Sequence, residues 1–402
     1  MDLATSLETL LVVATVAAIA PMLVAWLPGP RIPQVVVLLV GGVLVGPQVL
    51  GWADRQAIDL LANVGLGFLF LLAGYELDLT LFRVRPGRLA MVAWLVTVVV
   101  AAATVGLLEA AGLVRAFVPV ALGLTTTALG TLLPILRDND MLGGRFGRYL
   151  MAAGAVGELF PVLAIALFLG ASNKFVALMS LLAVGVLAVV LSQVPRLIRG
   201  RRLERIFLEG EGATAQTTVR WTVVLLLLLL VVAEDFGLDV VLGAFLAGIV
   251  LRRWSPGDVH ALEGKLDAIG YGFFIPLFFV ASGMGLDIRS IAEAPLRLLA
   301  FFLLLLVVRG VPALFLYRRD LPAVQRVEMM FLTATALPLL VALAEIGLRN
   351  GTMLHENAAA LVGAGVLSVL VFPMVAVSIE RRRRAGEGPA ADAPAGAPPS
   401  AE

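Results

Sequence analysis

The chain contains no cysteine, which excludes disulfides, thiolate zinc sites and iron–sulfur clusters. Its two histidines, His260 and His355, are too few to build a histidine metal centre. Charge is scarce as well. Only 15% of the 402 residues are Asp, Glu, Lys or Arg, against roughly 25% in a soluble globular protein. A net charge of +1 offers nothing to nucleic acid. No phosphate-binding glycine loop, aspartate-rich metal motif or nucleophile–base pair is present, so the sequence provides neither a cofactor site nor the machinery of an enzyme.

What is there is apolar: 60% hydrophobic residues and a mean hydropathy of +0.99. The expectation is an all-α polytopic membrane protein. A helix needs about 20 predominantly apolar residues to cross the hydrocarbon. Charge clusters and Gly/Pro breaks divide the chain into thirteen such segments. These fall near 6–27, 32–50, 57–77, 88–112, 117–136, 149–171, 174–195, 219–236, 238–252, 269–286, 296–317, 325–347 and 356–379. The first lacks a basic leader and reads as a retained span rather than a signal peptide.

Lys and Arg set the threading. Twenty-three fall after odd-numbered segments, six on the other side (Arg55, Arg115, Lys174, Arg289, Arg297, Arg349), and Arg309 lies inside a segment. This split predicts a plasma-membrane protein with its N-terminus outside and its C-terminus in the cytoplasm. Residues 1–380 form the membrane domain on this reading. Residues 381–402, rich in Gly, Pro and Ala after the arginine run, are expected to be a disordered cytoplasmic tail.

The chain repeats itself. Thr125-Thr126-Thr127-Ala128-Leu129 matches Thr333-Ala334-Thr335-Ala336-Leu337 at an offset of 208. Leu72-Ala73-Gly74-Tyr75-Glu76-Leu77-Asp78 matches Ala281-Ser282-Gly283-Met284-Gly285-Leu286-Asp287 at 209. The offset spans seven segments, so the second copy crosses in the opposite sense. Two inverted six-helix repeats (about 1–171 and 219–380) joined by a linker helix (174–195) are therefore expected, the pattern of alternating-access transporters.

Threonine runs followed by Gly130 and Pro134 in segment 5, and Thr333, Thr335 and Pro338 in segment 12, disfavour regular helix. Two corresponding interrupted helices, broken around Ala128, Gly130, Ala334 and Pro338, mark a site at the midplane. Freed carbonyls and the hydroxyls of Thr126, Thr127 and Thr335 are hard oxygen ligands for an alkali cation. The plainer reading is a proline kink with threonines bonded back onto their own helix.

Glu158 and Arg309 are the two ionisable residues deepest in the predicted spans, each costing roughly 2.5–3.5 kcal/mol on insertion. A carboxyl group at that depth can hold either a proton or a cation, as an antiporter requires. The alternative is a structural Glu158–Arg309 ion pair. Glu76 and Asp78 read as interfacial, and Gly42-x-x-x-Gly46 and Ala244-x-x-x-Gly248 as small-residue packing faces.

Five stretches carry a resemblance to a known family: Leu69–Asp78, Thr126-Thr127-Ala128-Leu129-Gly130, Gly157-Glu158, Leu242–Gly248 and Phe273–Phe279. Over residues 6–380 the chain resembles the monovalent cation:proton antiporters of the Kef/NapA-like sodium/hydrogen exchanger branch. That resemblance implies a homodimer, a dimerisation scaffold of segments 1–3 and 8–10, and a mobile core of segments 4–6 and 11–13 in which the interrupted segments 5 and 12 cross at the ion site. It implies an ion-binding acid matched here by Glu158 and a supporting base matched by Arg309. The family's acid follows Asp, Asn or Gln and is itself Asp; here Gly157 precedes a Glu. One titratable carboxylate implies electroneutral exchange of H⁺ for Na⁺ or K⁺. The competing readings are a non-transporting sensor or scaffold, and a channel-like module on the same fold.

Overall fold

The computed structural model describes residues 3–26, 33–114, 116–169, 174–197, 216–254, 259–293 and 295–387, and every regular element among them is helical. In chain order these are α1 (Leu3–Trp26), α2 (Gln34–Val45), α3 (Asp59–Glu76), α4 (Arg85–Ala110), α5 (Phe117–Gly123), α6 (Leu129–Asp138), α7 (Gly144–Phe168), α8 (Lys174–Leu197) and α9 (Thr217–Asp235). There follow α10 (Val240–Trp254), α11 (Val259–Ile269), α12 (Ile275–Met284), α13 (Ile288–Glu293), α14 (Pro295–Leu304), α15 (Val311–Leu316), α16 (Ala323–Ala334), α17 (Pro338–Arg349) and α18 (His355–Glu387).

Ten helical stretches among the described residues are long and apolar enough to cross a bilayer. Their outward faces are apolar too: Leu3, Leu7 and Leu11 on α1, and Val186, Val189 and Val190 on α8, are exposed. A water-soluble chain could not leave such faces bare; this is a multi-pass membrane protein. α2 is shorter than predicted because Pro47 disfavours helix at the residue before it. Gly46 is accordingly extended (φ −68°, ψ 173°) and caps the helix at twelve residues.

The helices pack in two groups. α2 and α3 lie against α12, α3 against α10, and α9 against α10. Glycines set these approaches: a Cβ at Gly42 would strike the Val280 backbone, and one at Gly248 the Leu71–Tyr75 backbone. The small-residue faces are thus backbone-to-backbone contacts. The second group joins α4 to α7, and α16 to α7, α15 and α18. Its end is riveted by Asp320, which receives Arg85 Nε (2.9 Å) and the Tyr149 hydroxyl (2.7 Å) and pairs with Arg145. At the opposite end Arg55, which precedes α3, pairs across the two groups with Glu345 of α17, itself paired with Arg349 one turn along the same helix.

Two π-turns interrupt otherwise continuous helices, Gly270–Phe274 between α11 and α12 and Leu305–Gly310 between α14 and α15. At the far end α18 remains helical through Glu387, seven residues beyond the boundary drawn for the tail. The remainder of the predicted tail lies outside the described residues.

Candidate ion-binding site

The two predicted interruptions are breaks. Helix stops at Gly123 and restarts at Leu129, with Thr126–Ala128 non-helical; it stops again at Ala334 and restarts at Pro338, with Thr335–Leu337 non-helical. Thr335 is extended (φ −71°, ψ 116°), and Pro338 opens α17 at a position where its missing N–H costs nothing.

The freed backbone groups find one another. Ala128 N–H donates to Thr335 O (2.8 Å), and Thr127 N–H donates to Gly157 O (2.9 Å). The Thr127 hydroxyl donates to Thr333 O (2.7 Å). Ser368 on α18 closes the second break, accepting from Ala336 N–H (3.0 Å) and donating to Ala336 O (2.9 Å). Polar backbone at membrane depth is satisfied here within protein, as the bilayer demands.

The other threonines behave as the plainer reading expected. Thr126 donates to Gly123 O (2.8 Å), and Thr335 to Phe331 O (3.2 Å). Both are fully buried, with their hydroxyl protons committed and lone pairs remaining. Gly130 and Ala334 flank the breaks. Ala334 is buried, and a Cβ at Gly130 would face the Tyr271 hydroxyl at 3.9 Å.

Arg309 lies on the Leu305–Gly310 π-turn, a wider loop of backbone that occurs often at functional sites. It is 3% exposed. Its Nε donates to the Thr127 hydroxyl (3.0 Å) and its Nη2 to Ala153 O (3.1 Å). Gly157 makes room for it: a Cβ there would overlap Arg309 Nη2 together with Oγ1 and Cβ of Thr127. The side-chain volume absent at position 157 is the volume the guanidinium occupies. A cation at this depth is tolerated because it faces the bundle interior and is hydrogen-bonded.

Glu158 is the next residue on α7 and is partly buried. Among the described residues no ion pair joins it to Arg309, whose bonds go to Thr127 and Ala153 instead. The Arg309 charge is therefore not spent on Glu158. Glu76 at the end of α3 and Tyr271 on the other π-turn are the groups within electrostatic reach of Glu158. Both belong to the opposite packing group.

The structure thus brings Thr127, Thr335, Ala128, Arg309 and the Gly157–Glu158 peptide together at one crossing. Sequence reasoning placed Glu76 at a helix end, where it is, and missed its proximity to Glu158. The signal lay in the Leu69–Asp78 stretch, whose acid was read alone. Nothing in the sequence distinguished Tyr271 or Ser368. Asp78 has a local task, accepting from Thr80 N–H (2.9 Å) and the Thr80 hydroxyl (2.7 Å).

The fold has known counterparts. The structure of the sodium proton antiporter MjNhaP1 from Methanocaldococcus jannaschii at pH 8 superimposes with a TM-score of 0.65 at 16% identity, covering 95% of this chain and 99% of that one. At that identity the likeness is one of fold. The putative Na⁺/H⁺ antiporter YjbQ of Bacillus subtilis is 27% identical over 95% of this chain and 64% of its own length. The glutathione-regulated potassium-efflux protein KefC of Klebsiella pneumoniae is 27% identical over 98% of this chain and 63% of its own. The probable Na⁺/H⁺ antiporter 3 of M. jannaschii is 24% identical over 86% and 90%. The chain spans less than two thirds of the length of YjbQ and KefC. A family model described as the transmembrane region of sodium/hydrogen exchangers matches residues 11–379, and the chain belongs to that family.

Proposed function

We propose that this chain is a secondary antiporter exchanging one monovalent cation, Na⁺ or K⁺, for one H⁺ by alternating access, with Glu158 as the shared site. The observation that carries the reading is the crossing of two broken helices seated on the Gly157–Glu158 peptide. The lone pairs of Thr126, Thr127 and Thr335 and the Glu158 carboxylate are oxygen donors suited to an alkali ion. Arg309, bonded to Thr127, is a fixed charge of the moving bundle rather than a ligand.

Electroneutrality follows from the charge count. Glu158 and Arg309 belong to one packing group and travel together. Loaded with H⁺ or with a monovalent cation, that group carries the same net charge. Glu76 belongs to the other group, so it shapes the field at Glu158 without being carried. Net movement of one charge would couple to the membrane potential at about 2.3 kcal/mol per 100 mV.

The element order also supports the finer architecture. Joined across their breaks and π-turns, the helices group into thirteen crossings, with α1–α7 and α9–α18 as inverted repeats and α8 as linker. On this reading the group of α1–α3 and α9–α12 is the scaffold and dimer surface. The group of α4–α7 and α14–α18 moves, within a plasma membrane with the N-terminus outside.

The test is collapse of a preset pH gradient in proteoliposomes by Na⁺, K⁺ or Li⁺ against choline, for the wild type and Glu158→Gln. Collapse by one cation, lost in the variant and insensitive to an imposed potential, is the expected result. Equal collapse in the variant overturns the assignment of Glu158. No collapse by folded wild-type protein favours a sensor or scaffold on the same fold.

A further inference from the structure

Glu328 on α16 is 1% exposed, and neither of its carboxylate oxygens has a hydrogen-bond donor. A buried polar group without a partner requires a physical account, and an ionised carboxylate so placed loses its hydration for nothing. Its neighbour supplies one. Glu380 on α18 lies in side-chain contact with it. Glu380 is itself held by Arg383 (2.7 Å) and Arg384 (2.7 Å). Two anionic carboxyl groups side by side have no donor between them. With one proton on Glu328, that group donates to Glu380 and the orphan disappears.

Among the described residues no donor on α16 or on the other elements packed against it is bonded to Glu328, although Arg326 Nε and the Tyr317 hydroxyl are buried and unpartnered. Arg145 and Tyr149 of α7 are engaged by Asp320, and Arg148 and Glu158 also stand on that helix. Arg309 of the π-turn is bonded to Thr127 and Ala153. The Tyr317–Arg319 turn carries Tyr317, Arg318 and Arg319, α15 has no titratable group, and Arg326 of α16 itself donates to Leu314 O. The charged groups acting on Glu328 are Glu380, Arg383 and Arg384.

We propose that Glu328 and Glu380 form a proton-binding site separate from Glu158, in which one proton shared between the two carboxyl groups holds α16 against α18. A cavity of about 150 Å³ lined by Asn139, Asp140, Val377, Glu380, Arg381 and Arg384 opens beside it. That cavity gives the proton its exchange route: it leaves Glu328 through Glu380 to water, both carboxyl groups then being anionic. The same arginines reach the first broken helix, Arg384 donating to Asp140 O (3.0 Å) and Arg381 to the Asn139 side chain (3.1 Å). One proton thus ties the ends of both broken helices to α18. Its loss sets Glu328 against Glu380 and pushes on α16, whose other end meets Ala128 through Thr335.

The experiment is infrared spectroscopy of the protein in lipid, read in the carboxylic-acid C=O region, with melting temperature followed against pH. Neither readout needs transport, so the outcome is independent of the role of Glu158. Expected: at neutral pH Glu328→Gln lacks one protonated-carboxyl band of the wild type, and its melting temperature stays level on the alkaline side where the wild type falls. Glu380→Gln places an amide donor beside Glu328, lets it ionise, and removes the same band by a different route. Persistence of that band in either variant, or parallel melting curves for wild type and Glu328→Gln, overturns the proposal.

Discussion

Gly157→Ala is the smallest perturbation that reaches the site. The added Cβ meets Arg309 Nη2 and both Oγ1 and Cβ of Thr127. None of these can yield freely. Thr127 is pinned by its N–H on Gly157 O and its hydroxyl on Thr333 O, and Arg309 by Thr127 and Ala153. Overpacking in a tight interior costs about 1–3 kcal/mol. Losing a hydrogen bond from the buried charge adds about 1.5–3 kcal/mol. The expected destabilisation is about 1–3 kcal/mol if the guanidinium shifts with its bonds intact and about 2.5–6 kcal/mol if a bond is lost. Stability is measured by reversible detergent-denaturant titration of tryptophan fluorescence. The decisive arm is the same substitution in an Arg309→Lys background. Lysine has no Nη2, so the penalty there shrinks by about 1 kcal/mol or more, a coupling a double-mutant cycle resolves. A loss under about 0.5 kcal/mol, the scale of a surface change, refutes the packing argument. So does a loss unchanged in the lysine background.

Two further outcomes concern the ends of the molecule. Glu345→Gln releases Arg55, which joins the two packing groups at one end, and breaks a pair with Arg349 that lies within α17. At about 0.2–1 kcal/mol for the one bridging, partly exposed pair, opening there rises roughly 1.4- to fivefold, and high salt mimics it. The cysteine-free chain permits the assay: maleimide labelling of Ala344→Cys, buried beside Glu345, accelerates in that range, and an unchanged rate refutes the latch. At the other end, burial works against the charged form of Asp320. Hydrogen bonds from Arg85 and Tyr149 and the charges of Arg85 and Arg145 outweigh it and hold the carboxyl below its usual range. A lowered folded value contributes stability above the unfolded value and loses it as pH falls through the folded one. Melting temperature therefore declines below about pH 4 in the wild type and declines less steeply in Asp320→Asn.

Much of this protein is written in one dimension. Hydropathy is local, so the spans could be drawn from residue counts, and the Thr-x-Thr-Ala-Leu pair located both breaks within a residue or two. Pro47 and Pro338 act on the peptide beside them, and their effects are local for the same reason. Glu158 stood out because an acid in an apolar run is expensive wherever that run folds. What the sequence could not hold is which groups meet. Gly157 read only as a departure from the family's polar residue until the fold set Arg309 Nη2 against it, because the two are 152 positions apart. The Glu158–Arg309 ion pair stood as the alternative reading; only packing on the π-turn aims the guanidinium at Thr127 and Ala153. Tyr271 and Ser368 carry no mark in their own neighbourhoods, and the acid marked in Leu69–Asp78 did not name its partner, since these contacts lie on helices distant in sequence. Composition and periodicity decided that the chain lives in a membrane as broken and unbroken helices. Tertiary structure alone decided which charges share a site, because electrostatic and hydrogen-bond energies depend on separations in space that chain spacing does not encode.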